Sequence, residues 1–91
     1  MVTTSPASTL YQFSVQYSDA SDLSRILDAL MKLGGEPAWL VSRMTGDRGY
    51  KLELRVSGLD GERVRILAQR IGGMPGVLEI GCVFEGRRGT G

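Results

Sequence analysis

The stretch Asp47-Arg48-Gly49-Tyr50-Lys51-Leu52-Glu53-Leu54-Arg55-Val56 decides the fold of this chain. From Tyr50 onward it alternates strictly, with Tyr50, Leu52, Leu54 and Val56 on one side and Lys51, Glu53 and Arg55 on the other. A period of two marks a strand with one buried face. Burying three charges without partners costs several kcal/mol for each. The Leu/Val side therefore turns inward, and the charged side stays in water. Gly46 to Gly49, "GDRG", supplies a turn, so the preceding "PAWLVSRMT" (37–45) becomes the other arm of a hairpin.

The flanking segments switch period on both sides of this hairpin. Residues 9–17, "TLYQFSVQY", alternate again, with Tyr11, Phe13, Val15 and Tyr17 on one side and Gln12, Ser14 and Gln16 on the other. Residues 20–33 follow helical spacing: Leu23, Ile26, Leu27 and Leu30 share a face, flanked by Met31 and Leu33. Ser21 or Ser18 is placed to cap that helix, Asp22 suits its positive end, and Asp28 with Lys32 makes a favourable i,i+4 pair. Gly34-Gly35 stop it. After "SGLDG" a second helix covers 61–72, capped by Asp60, with Val64, Leu67, Ala68 and Ile71 as its apolar face. "GGMPG" ends it, and "VLEIGCVF" (77–84) is the last strand.

The two halves repeat. A shift of 41 residues sets Tyr11 on Leu52, Phe13 on Leu54, Val15 on Val56, Leu23 on Val64, Ile26 on Leu67, Leu30 on Ile71 and Gly35 on Gly76. The order strand-helix-strand, twice over, predicts an α+β, ferredoxin-like βαββαβ domain: a four-stranded antiparallel sheet with two helices on one face. The domain spans residues 9–84, and 1–8 and 85–91 are read as disordered tails. The same shift sets Trp39 on Ile80 and Val41 on Cys82. It therefore predicts Trp39 and Val41 beneath the helices, with Ala38, Leu40, Ser42 and Met44 facing outward. Ile66 falls opposite the apolar stripe of the second helix, among Glu62, Gln69 and Arg70. Ala38, Leu40, Ser42, Met44 and Ile66 are the predicted interface, because apolar side chains on an open strand edge invite another chain.

Composition narrows the function. Apolar residues make up 42% and charged residues 23%, as in an ordinary water-soluble domain, and the net charge of +1 gives no electrostatic support for a nucleic-acid or membrane partner. The start "MVTTSPAS" has neither a basic region nor an apolar core, so no secretory signal is read there. One cysteine, Cys82, fits a cytoplasmic setting and is read as a small core residue. Arg48-Gly49-Tyr50 resembles the opening of the RNA-reading strand of an RRM, in which aromatics on the open face stack on bases. Here Lys51, Glu53 and Arg55 hold the open face, the neighbouring strand adds Gln12, Ser14 and Gln16, and no aromatic is placed among them.

Catalytic groups are scarce. Histidine is absent, so no Ser or Cys has that base, and the first loop carries no paired cysteines for a metal. Asp19 and Asp22 suit an acid/base pair in principle, but helix capping and dipole compensation account for them. The glycine pairs fall at helix ends, not at the helix starts where phosphates are cradled. No catalytic residue, metal or cofactor is predicted.

The βαββαβ order, "LSRILDALMKLGGEPAWLVSRM" (23–44) and "IGGMPGVLEIGCV" (71–83) resemble the ACT domain family. Within that family a chain with short tails is most similar to the short regulatory (small) subunits of acetolactate synthase, the thiamine-diphosphate enzyme of branched-chain amino acid biosynthesis. The resemblance covers 9–84. It implies a non-catalytic subunit that binds and activates a large catalytic chain, pairs with itself through an edge strand, and takes an amino-acid effector where the first loop meets a partner. Carried over, that loop is Ser18, Asp19, Ala20, Ser21 and Asp22. Effector-binding ACT loops carry Pro-Gly before the helix, whereas this chain has Ala20-Ser21. The alternative implied is a free-standing ACT-domain amino-acid sensor serving another enzyme or regulator.

Overall fold

The computed structural model describes residues 10–46 and 49–86. Its elements run β1 (Leu10–Tyr17), α1 (Ser21–Lys32), β2 (Glu36–Met44), β3 (Tyr50–Ser57), α2 (Gly61–Gly72) and β4 (Val77–Gly86). The strands form one antiparallel sheet in the order β2-β3-β1-β4, so the first strand of each half lies at the centre. This is the ferredoxin-like βαββαβ arrangement that the period switches predict. The turn residues Asp47 and Arg48, residues 1–9 and Arg87 to Gly91 lie outside the described residues, and with them most of both tails. The backbone of β4 continues through Glu85 and Gly86, beyond the predicted end at residue 84.

β1 and β3 pair so that Phe13 is opposite Leu54 and Val15 is opposite Leu52. Phe13, Val15, Leu52, Leu54 and Val56 are fully buried beneath Ile26, Ala29 and Leu30 of α1 and Val64, Leu67 and Ile71 of α2. Each such side chain gains about 1.5–3 kcal/mol on leaving water. Lys51, Glu53 and Arg55 lie on the opposite, uncovered face, half-buried among their neighbours.

The helices end as their sequences dictate, but they begin differently. Past α1, Gly34 takes φ 90°, the Gly34 N–H reaches the Met31 carbonyl at 3.0 Å, and the Gly35 N–H reaches that of Leu30 at 3.1 Å, a Schellman closure. Asp60 caps α2, its Oδ1 accepting from the Arg63 N–H at 2.9 Å. α1 has no side-chain cap: its N-cap position is Ala20, already helical at φ −55°, ψ −30°. Neither Ser18 nor Ser21 caps it, because capping needs an extended backbone and Ser18 is bonded elsewhere, to Gly76. Asp28 and Lys32 do pair, at 3.2 Å on the exposed face.

β2 departs from the repeat. Pro37 is opposite Val56, but Trp39 is opposite Arg55, so Ala38 is an extra, bulged residue. Beyond it every side chain changes face. Trp39, Val41 and Arg43 stand on the open side with Arg55, Glu53 and Lys51, while Leu40, Ser42 and Met44 lie on the helix side with Leu54, Leu52 and Tyr50. This reverses the predicted orientation of Trp39, Val41, Leu40, Ser42 and Met44. The physical reason is Arg43: an unbroken strand with Trp39 and Val41 inward would have pushed the Arg43 guanidinium under the helices. By its sheet partner, Leu40 takes the place in the first half that Cys82 takes in the second, one residue off the shift relating the rest.

Candidate functional site

The predicted ligand loop is brought together, but against the protein itself. Ser18 donates through its N–H and its hydroxyl to the Gly76 carbonyl, at 2.9 and 3.3 Å. Asp22 is only 3% exposed, and its carboxylate occupies the space a Cβ would need at residue 76. Its Oδ2 accepts the Asp19 N–H at 3.2 Å, and Asp19 Oδ1 accepts the Ser21 N–H at 3.3 Å. The Asp22 and Leu23 N–H groups reach the carbonyls of Asp19 and Ala20. The amides of Ser18, Asp19, Ser21 and Asp22, with which such a loop would hold a ligand carboxylate, are therefore engaged by two aspartates of the chain and by backbone carbonyls. An incoming carboxylate would also meet their negative charge.

The open face of the sheet carries a connected row. Arg55 Nε donates to Gln12 Oε1 at 3.1 Å, Gln12 Nε2 donates to Glu53 Oε1 at 2.9 Å, and the Arg55 guanidinium lies 4.7 Å from the centre of the Trp39 ring. The predicted face without an aromatic is thus corrected: the bulge delivers Trp39 to it. Among the described residues a single ring, already covered by Arg55 and on the same face as Glu53, is not the multi-aromatic platform that single-stranded nucleic acid needs. Further along, Ser14, Gln16, Lys51, Glu79 and Gly81 line a shallow depression of about 230 Å³.

On the helix side of β2, the Tyr17 hydroxyl and Ser42 Oγ lie 2.5 Å apart, Tyr17 stacks on Tyr50 at 5.2 Å, and Leu40 packs against the core. Of the predicted interface residues, Met44 is 71% exposed and Ala38 is exposed at the bulge, while Leu40, Ser42 and Ile66 are half-buried. Sequence reading missed Trp39 and Val41, which are 43% and 40% exposed at the β2 edge. The signal that finds them is Arg43, two residues beyond Val41 and in the same phase. On β4, Cys82 lies opposite Phe13 but is exposed, because the helix layer leaves this part of the outer strand uncovered, so it is not the core residue predicted. Desolvation by its neighbours still pushes the thiol above its ordinary pKa.

Among the described residues no group of three or more His, Cys, Asp or Glu side chains comes together to hold a metal ion. No described helix is long and apolar enough to cross a membrane.

The strand order, the single helical layer and the two β–α loops define an antiparallel ferredoxin-like domain. Its fold is like that of solved ACT domains. No protein-family model matches the chain, and no curated protein is significantly similar to it in sequence. Three-dimensional likeness is extensive. The ACT domain from GTP pyrophosphokinase of Chlorobium tepidum superimposes with a TM-score of 0.68, over 81% of this chain and 96% of that one, at 13% identity. The C-terminal domain of the MgtC protein from Mycobacterium tuberculosis does so with a TM-score of 0.72, over 92% and 95%, at 12% identity. A homoserine dehydrogenase from Thiobacillus denitrificans matches with a TM-score of 0.73 at 13% identity, over 84% of this chain and 17% of that one. At these identities the likeness is one of fold.

Proposed function

We propose that this chain is a non-catalytic regulatory subunit. It pairs with itself and binds the catalytic chain of an acetolactate synthase, activating or stabilising it in branched-chain amino acid synthesis. The reading joins the ACT-type fold to the sequence resemblance over residues 9–84. The observation that carries it is the apolar surface left at both sheet edges: Trp39, Val41 and Met44 on β2, Leu78 and Val83 on β4. A subunit that meets its own copy and a catalytic chain needs two such surfaces. The loop between β1 and α1, with the Asp19 and Ser21 amides engaged by the carboxylates of Asp22 and Asp19, favours a structural and activating role over direct effector capture. The single cysteine supports the cytoplasm as its compartment.

The test mixes the chain with the catalytic chain encoded in the same genome and follows acetolactate formation. A complex on size exclusion and a rise in turnover are expected, and neither would appear if the reading is wrong. Calorimetry against the proteinogenic amino acids, without the synthase, distinguishes the sensor alternative, which requires binding by the isolated chain.

A further inference from the structure

The open face of the sheet has one half closed by its own bonds and one half left unsatisfied. On the closed half Trp39, Arg55, Gln12 and Glu53 join in one chain of contacts. On the other, the register sets Lys51 beside Gln16 and Gln16 beside Glu79, with Ser14 beside Gly81 in the next row. These residues line the depression of about 230 Å³. Among the described residues the side chains of Ser14, Gln16, Lys51 and Glu79 make no hydrogen bond or ion pair within the chain.

Gly81 is the second, independent observation. Glycine inside a strand weakens it, and a structural reason for one is a left-handed backbone or a crowded Cβ. Gly81 has neither: its φ is not positive, and a Cβ there would meet nothing within 4 Å. What a bare residue does supply is an unobstructed floor beside Ser14, as where a ligand comes close to a strand backbone.

We infer that this depression binds a small zwitterion, its carboxylate on Lys51 and its ammonium on Glu79, lying across Gln16 and over Gly81. The site is on the opposite side of the sheet from the helices, and it stands apart from the regulatory function proposed above.

The charges set the class of ligand. Arg43 adjoins Lys51 at one end of the row, and Glu79 stands at the other. A simple anion drawn to Lys51 meets Glu79, and a simple cation drawn to Glu79 meets Lys51. A ligand carrying both charges satisfies both ends, and the Gln16 amide between them donates and accepts. Spacing narrows the class further. Lys51 and Glu79 are two strand spacings apart, about 10 Å at Cα, and strand side chains stand roughly perpendicular to the sheet. Two charge-assisted bonds of about 2.8 Å leave about 4 Å between the charged groups of the ligand. That separation suits ω-amino acids such as β-alanine and 4-aminobutyrate better than an α-amino acid, whose ammonium and carboxylate share one carbon. Drug-sized ligands take roughly 300–1,000 Å³, so the volume also favours a smaller one.

The test titrates the isotope-labelled full chain at low salt with glycine, β-alanine and 4-aminobutyrate, and with propionate and propylamine as half-ligands, and follows the backbone amides by NMR. Saturable shifts at Ser14, Gln16 and Gly81 are expected with 4-aminobutyrate, at an affinity about tenfold above that of glycine or either half-ligand. Lys51→Met and Glu79→Gln, both on the uncovered face, are each expected to weaken binding about tenfold and to leave the circular dichroism unchanged. Gly81→Val is expected to abolish the shifts while holding or raising the urea midpoint, because a β-branched residue suits a strand that glycine weakens. No saturable shift with any zwitterion, shifts confined to Ser18–Asp22, equal affinity for glycine or propionate, or undiminished binding by Gly81→Val would each overturn the site. Synthase activation is scored separately. Its absence in a chain that binds 4-aminobutyrate rejects the regulatory function alone, and its presence in a chain that binds no zwitterion rejects this site alone.

Discussion

The Arg55 guanidinium lies 4.7 Å from the centre of the Trp39 ring, on the uncovered face of the sheet. Trp39 is the only tryptophan of the chain, so its emission reports this contact directly. Replacing Arg55 by Leu is expected to shift that emission and to cost about 0.5–1 kcal/mol in urea unfolding. An unchanged spectrum would mean that the two groups do not meet in solution.

Asp22 and Gly76 compete for one volume, because the Asp22 carboxylate stands where a Cβ of residue 76 would be. Gly76→Ala is expected to destabilise the fold by roughly 1–3 kcal/mol through overpacking. Adding Asp22→Ala should restore part of that loss. Strict additivity of the two substitutions in a denaturation cycle would contradict the contact.

The Tyr17 hydroxyl, in a residue buried under the helices, has Ser42 Oγ as its partner. Tyr17→Phe keeps the stack on Tyr50 and removes only this bond, so a loss of about 1 kcal/mol is expected. Because Ser42 would face solvent without the bulge at Ala38, this variant also checks the register of β2: no measurable loss would argue for the opposite phase.

Helix starts are predicted to respond unequally. Asp60→Ala removes the cap of α2 and should cost about 1 kcal/mol, whereas Ser21→Ala at the uncapped start of α1 should change stability by no more than a few tenths. Equal losses, measured by thermal or urea unfolding, would mean that Ser21 caps α1 after all.

Burial raises the Cys82 pKa in the folded chain. The folded state therefore holds that proton to higher pH than the unfolded chain does. The associated contribution to stability is complete below the ordinary thiol pKa and fades as pH rises through the folded value. Alkylation by iodoacetamide is expected to be slower in the folded chain than in urea at the same pH, with a rate-pH profile displaced upward. A profile at or below that of the unfolded chain would refute the shift.

Much of this molecule was legible in its sequence, where a local rule admitted one answer. Lys51, Glu53 and Arg55 cannot be buried together, so β3 had one orientation, and the helices followed from the spacing of Ile26, Leu30, Leu67 and Ile71. Residues Ser18 to Asp22 form the junction of β1 and α1, with Ser21 and Asp22 already in the helix. The hydrogen bonding of that junction was not legible, because the partner of Ser18 is Gly76, far along the chain and near only after both halves have packed.

The sequence alone determined the order of elements, the buried side of the two central strands and the internal repeat, because periodicity and the cost of burying charge act within a single segment. Which side Trp39 and Val41 face was decided only in the tertiary structure. One extra residue at Ala38 reverses a strand, and whether it is accommodated depends on competition for the space beneath the helices, where Leu40 and Ser42 fit against Leu54 and Tyr17 and Arg43 does not.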